Sequence, residues 1–134
     1  MHIAYSCLLI AILLPYIWIY FAKFGRSDDG IAKRYNNYAP RAQQAKLEGY
    51  RARAVWAHNN AFEALPGFIA AVLVAIQAGV PAPLVNGAAI VFIVARVLHG
   101  VCYLADLAWQ RSAIWAIGLL ALVYLFVQAL LHLA

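Results

Sequence analysis

Three observations predict an all-helical integral membrane protein built as a four-helix bundle. Of 134 residues, 66% are apolar and only 11% charged, with a mean hydropathy of +0.78, whereas a soluble domain carries about 45–50% apolar and about 25% charged residues. The apolar residues gather in stretches long enough to cross a bilayer at about 20 residues per crossing, and four such crossings use most of the chain. The charges are segregated: eight of the ten Lys and Arg residues fall between Lys23 and Arg53, with Asp28, Asp29 and Glu48 among them. This composition excludes disorder. The two cysteines, Cys7 and Cys102, form no CxxC pair and are too few for a disulfide framework. The chain has room for one domain.

The first span is read over residues 3–24, IAYSCLLIAILLPYIWIYFAKF. It is longer than a signal-peptide core, with no charged start or small-residue cleavage site before it. Pro15 is tolerable there, because neighbouring groups in a membrane bundle re-satisfy the carbonyl it frees. Residues 25–49 are polar, with Pro40 as a breaker, and form the one long loop. The second span, residues 50–78, opens on RARAVWAHNNAFEALPGF, too polar for lipid contact all round, and becomes wholly apolar from Phe68. The turn AGVPAP, Ala78 to Pro83, follows, with Gly79 suited to end one helix and the prolines to start the next. The third span covers residues 84–107. A short link with Trp109, Gln110 and Arg111 leads to the fourth, residues 112–133.

The net charge of +5 does not indicate nucleic acid, because a basic loop between spans is a topology signal and no basic motif lies outside it. The positive-inside bias puts that loop in the cytoplasm, the link between the third and fourth spans beside it, and both termini outside. Cys7 then lies near the outer face and Cys102 near the inner one, too far apart for a disulfide.

The charges left inside the spans are costly, roughly 2.5–3.5 kcal/mol each at the bilayer centre, and need a partner, water or a task. The second span sets Arg53, Trp56, Asn60 and Glu63 on one stripe, and the third sets Arg96, His99, Tyr103 and Asp106 at the same spacing. A tight turn makes these spans antiparallel neighbours, so equal depth pairs Arg53 with Asp106, Trp56 with Tyr103, Asn60 with His99, and Glu63 with Arg96. Glu63 and Arg96 are the predicted buried ion pair. Such rungs could serve only to hold two helices together, and His58 and Asn59, off the stripe, read as residues of the helix entrance. His99 has no second histidine at matching depth, and His2, His58 and His132 form no ligand spacing, so no metal site is predicted.

As a functional site, the stripe gives a cytoplasmic-side cleft of Arg, Asn, Glu, His and Tyr, rimmed by Arg111 and Ser112. It suits a small zwitterion with several carboxylates, since Arg offers forked donors and Glu accepts from an ammonium. A guanidinium also stabilises a thiolate and so activates a bound thiol. Walls facing the bilayer would admit a lipophilic second substrate.

The stretch RAVWAHNNAFEALPGF, with Asn60, Glu63 and Pro66, followed in the next span by ARVLHGVCYL, resembles the MAPEG family of membrane-associated proteins in eicosanoid and glutathione metabolism. The resemblance covers four spans in the same order, a polar first loop and essentially the whole length. It implies a homotrimer with glutathione, the thiol co-substrate, bound between protomers on the cytoplasmic side. It carries glutathione contacts onto Asn60, Glu63, Arg96, His99 and Tyr103, joined by Arg53 of the same stripe and by Arg26 or Lys23 at the inner end of the first span. Arg111 and Ser112 match the family's Arg-Ser pair, which with Tyr103 makes the implied catalytic set. Trp56 stands where eicosanoid-synthesising members have Arg, and Asn59 where one branch has a second basic residue. The segment LADLAWQRSAIW looks like bacterial members, which implies the bacterial inner membrane.

The expected function is therefore a glutathione-dependent transferase or peroxidase acting on a lipophilic electrophile or hydroperoxide. A non-catalytic member of the scaffold that binds a lipid or another small molecule is the alternative that the Arg-to-Trp departure favours. A small multidrug exporter is disfavoured, because the first span holds no acid.

Overall fold

A computed structural model describes residues 2–25 and 35–133. The chain forms α1 (His2–Phe24), α2 (Pro40–Gln44), α3 (Gly49–Gln77), α4 (Ala82–Leu104) and α5 (Ala108–Leu133). All but α2 are long and apolar enough to cross a membrane, which makes four membrane helices. The central pair is α3 and α4. Each packs on both α1 and α5, while α1 and α5 scarcely touch.

Direction follows from side chains that close helix ends. Arg51, near the start of α3, donates from Nε to Ala22 O at 2.7 Å and from Nη2 to Lys23 O at 2.9 Å. It thereby satisfies carbonyls that the last turn of α1 leaves without an intrahelical donor, and α1 and α3 run antiparallel. At the other end the Ala4 N–H donates to Asn86 Oδ1 at 3.1 Å, placing the starts of α1 and α4 side by side.

Both tight turns are Schellman closures. After α3, Val80 N–H reaches Ala75 O and Gly79 N–H reaches Ile76 O, each at 3.1 Å, with Gly79 at φ 78°. After α4, Leu107 N–H reaches Cys102 O at 2.9 Å and Asp106 N–H reaches Tyr103 O at 3.2 Å. The left-handed residue there is Asp106, at φ 59°, one of the few side chains that tolerates that conformation.

At the turn end of the bundle, the core is built from small residues such as Ala71, Ala75 and Ala89 around a Phe68–Phe92 stack, with ring centroids 3.9 Å apart and planes 5° from parallel. Small residues let helix backbones approach where lipid removes the hydrophobic drive for association. Nearer the loop end, the Trp18 ring lies on the backbone of Gly100, where a Cβ would come within 2.1 Å of it.

Several expectations are revised. The polar segment is not loop throughout: Pro40 opens α2 at its first position, where its missing N–H is no loss. The third span ends at Leu104 and the fourth begins at Ala108, so Asp106 lies off the helix, and Trp109, Gln110 and Arg111 sit in the first turn of α5 rather than in a link. Cys7 and Cys102 are both free and buried.

Candidate functional site

The polar side chains of α3 and α4 do face each other, with partners that differ from the equal-depth rungs everywhere but at Arg53 and Asp106. Arg96 is only 6% exposed. Its Nη2 donates to the Asn60 side-chain oxygen and to the Asn60 carbonyl at 3.5 Å, and lies 3.3 Å from His99 Nδ1. Asn60 Nδ2 in turn donates to Glu63 Oε2 at 3.3 Å. The expected Glu63–Arg96 ion pair is thus replaced by a relay through Asn60, and Glu63 is exposed. Arg96 Nε is buried and has no partner among the described residues.

His99 is 3% exposed, and its ring meets Tyr103 edge-on at 5.1 Å. The Arg111 guanidinium covers the other part of the Tyr103 ring, 4.4 Å from its centroid, a cation–π contact that joins the first turn of α5 to the last turn of α4. Glu63, Asn60, Arg96, His99, Tyr103 and Arg111 therefore form one continuous chain of contacts. Trp56, expected to face Tyr103, is instead 53% exposed, which removes that rung.

Arg53 and Asp106 do meet, at 3.7 Å, with side chains 19% and 71% exposed, across the rim of the loop end. Arg53 Nε is the second buried donor without a partner among the described residues. The Ser112 hydroxyl donates to Ala108 O at 3.2 Å and is exposed. Lys23 covers the Tyr35 ring at 4.7 Å, and Arg26 lies outside the described residues.

Beside this chain is a half-open cavity of about 270 Å³ bounded by α3, α4 and α5. Asn60, Glu63 and Arg96 supply its polar wall, and Phe92, Trp115, Leu119 and Leu122 its apolar one. His99 and Tyr103 do not line it: His99 stands behind Arg96 and fixes the guanidinium. The cavity can hold an anionic group against Arg96 while apolar matter rests on Trp115 and the leucines. Among the described residues, no group of three His, Cys, Asp or Glu could hold a metal ion.

Two polar residues outside the stripe carry more structure than the sequence suggests. Arg51 caps α1, as above. His58 Nδ1 lies 2.7 Å from the Pro15 carbonyl, which can only accept, so Nδ1 carries the proton and ties α3 to the middle of α1. Pro15 is no sequence signal for that tie, because the carbonyl that a helical proline frees is the one four residues before it, not its own.

Four apolar helices around a buried guanidinium and a half-polar cavity define an integral membrane protein with a polar intramembrane site. The chain belongs to the MAPEG family, whose model matches residues 3–131. No curated protein and no solved structure matches it. The family includes glutathione transferases and peroxidases as well as non-catalytic members, and its members generally use glutathione.

Proposed function

We propose that the protein is a glutathione-dependent membrane transferase or peroxidase acting on a lipophilic electrophile or hydroperoxide, assembled as a homotrimer with its site at the cytoplasmic side. The observation that carries this reading is Arg96. A guanidinium held on one edge by Asn60 and His99, with a buried Nε left over, is a prepared carboxylate receptor beside a cavity with an apolar wall. Membership of a glutathione-using family supplies the carboxylate-bearing thiol.

In this reading Arg96, Asn60 and Glu63 bind the tripeptide, with Glu63 accepting from its ammonium group. Arg53 takes a further carboxylate at the rim, Arg26, outside the described residues, adds another carboxylate contact, and His99 is a positioning residue acting through Arg96. Arg111 and Ser112, one turn into α5, stabilise the thiolate, with Tyr103 beneath the guanidinium. The thiolate then attacks the electrophile, forming a carbon–sulfur bond as the leaving group departs. With a hydroperoxide, two thiols are oxidised to a disulfide as the peroxide is reduced to alcohol and water.

Calorimetric titration of the detergent-purified protein with glutathione should give saturable binding that Arg96→Ala abolishes; absence of heat at millimolar ligand would sink the proposal. The second reading, a non-catalytic binding protein, is favoured by the stacking of Arg111 on Tyr103 and by Trp56 at a position where other members carry Arg. Arg111→Ala separates the two. An enzyme loses at least about tenfold in turnover, equivalent to about 1.4 kcal/mol in the barrier, while glutathione binding persists; a binding protein has no turnover to lose.

A further inference from the structure

Tyr103 and Arg111 belong to α4 and α5, and α1 scarcely touches α5. Any hold that α1 has on Arg111 must therefore pass through α4, and the side chain placed to exert it is Trp18. Its indole is 5% exposed and lies on the backbone of Gly100, so close that a Cβ there would come within 2.1 Å of the ring. Only a residue without a Cβ admits the ring at that distance. Gly100 follows His99 directly and precedes Tyr103 by three residues, about one turn from the end of α4 at Leu104. Ala57 and Ala61 of α3 complete the buried cluster around Trp18, one turn apart and small enough to leave a slot for a large ring. Tyr103 packs against this cluster, meets the His99 ring edge-on and carries the Arg111 guanidinium on its face, 4.4 Å from the ring centroid.

α1 is fixed on both sides of the indole. His58 of α3 holds the Pro15 carbonyl at 2.7 Å, three residues before Trp18. Arg51 holds the carbonyls of Ala22 at 2.7 Å and Lys23 at 2.9 Å, four and five residues after it. Both ties lie within about 8 Å of Trp18 along the axis, at 1.5 Å per residue. The segment between them cannot slide or roll without breaking one of these hydrogen bonds. A large ring on so short a span acts as a wedge, because its bulk bears on Gly100 and Tyr103 instead of being absorbed by movement of α1.

We propose that Trp18 is a positioning residue, a wedge from α1 that seats on Gly100 and holds Tyr103 beneath Arg111. The guanidinium then has a fixed aromatic floor and stays where a bound thiolate can use it. The consequence for chemistry rests on the glutathione reading above; the hold on Arg111 does not.

That hold is measured first with no thiol present, as the rate at which phenylglyoxal modifies Arg111 in the detergent-purified full chain, followed by peptide mass spectrometry. Trp18→Phe removes the far atoms of the indole and should raise the rate about two- to fivefold, equivalent to losing a contact of about 0.5–1 kcal/mol. Buried Arg96 should keep its native rate. Gly100→Ala drives the ring off the α4 backbone and should have the same effect. In the double variant the alanine methyl takes the space that the shorter ring leaves, so Arg111 should return to its native rate and the two changes should be non-additive. With glutathione and chlorodinitrobenzene, either single variant should lower kcat and leave unchanged the KM for glutathione, which Arg96 and Asn60 set. An unchanged Arg111 rate in both single variants would overturn the proposal. So would Arg96 and Arg111 rising together, which marks general loosening, or a fall in kcat matched by a rise in KM. A native chain without turnover would count against the thiol reading alone, and the modification rates would still decide the role of Trp18.

Discussion

At the turn end of the bundle, Phe68 and Phe92 stack at 3.9 Å among alanines and valines that are almost fully buried. At the loop end the buried side chains include Arg51, Arg96 and His99, each aimed at a named partner. The first region is held by contact, which has no direction and is satisfied by shape. The second is held by hydrogen bonds, which are directional and leave remainders when geometry falls short. Among the described residues, both buried side-chain donors without a partner, Arg53 Nε and Arg96 Nε, lie in the polar stripes toward the loop end. A bundle needs one dry end to fix its helices before the other can carry charges that do not cancel internally, and those uncancelled donors are what a ligand can use.

Removing shape from the dry end should have the largest effect. Phe68→Ala leaves a void against Phe92 and is expected to cost about 3 kcal/mol, low in the range for such truncations because lipid solvates the unfolded side chain about as well as the core does. Unfolding of the detergent-solubilised protein in increasing dodecyl sulfate measures it. Phe68→Leu should cost less than half as much. A loss below about 1 kcal/mol for Phe68→Ala would mean that the dry end does not anchor the bundle.

At the polar end the test is which partner Arg96 depends on. Asn60→Leu removes the acceptor nearest the guanidinium and should cost about 2 kcal/mol in the same assay. Glu63→Gln should cost under about 0.5 kcal/mol, since the exposed Glu63 only accepts from Asn60 Nδ2 at 3.3 Å, which an amide oxygen can also do. The reverse order would restore the Glu63–Arg96 ion pair expected from the sequence.

That expectation shows where sequence reading reaches its limit. The four spans, the AGVPAP turn and the facing of the α3 and α4 stripes follow from hydropathy and helical spacing, and all are present. Pairing at equal depth assumed that both stripes run straight to the turn. Arg53 and Asp106 do meet, although α4 ends at Leu104, but Arg96 reaches Asn60 rather than the acid one turn on. Asn60 wins because its side chain is both acceptor and donor and can stand between Arg96 and Glu63. Arg51 and His58 escaped notice for another reason: their partners are main-chain carbonyls of α1, which leave no trace in a pattern of side chains.

The smallest predicted effect bears most directly on the contrast between the two ends. Arg53 and Asp106 are the one ion pair among the described residues, yet their separation is 3.7 Å and Asp106 is 71% exposed, so water screens the attraction and coupling should stay below about 0.5 kcal/mol. A double-mutant cycle with Arg53→Gln and Asp106→Asn measures it. Asparagine is the necessary replacement because the backbone there has φ 59°, which asparagine tolerates and alanine does not; alanine would report strain instead of charge. Coupling above about 1 kcal/mol would make this pair a structural clasp and take Arg53 out of the ligand set. Weak coupling leaves Arg53 with a buried, unpartnered Nε and a carboxylate neighbour that any incoming carboxylate can replace, which is the behaviour expected of a rim residue whose partner is the ligand.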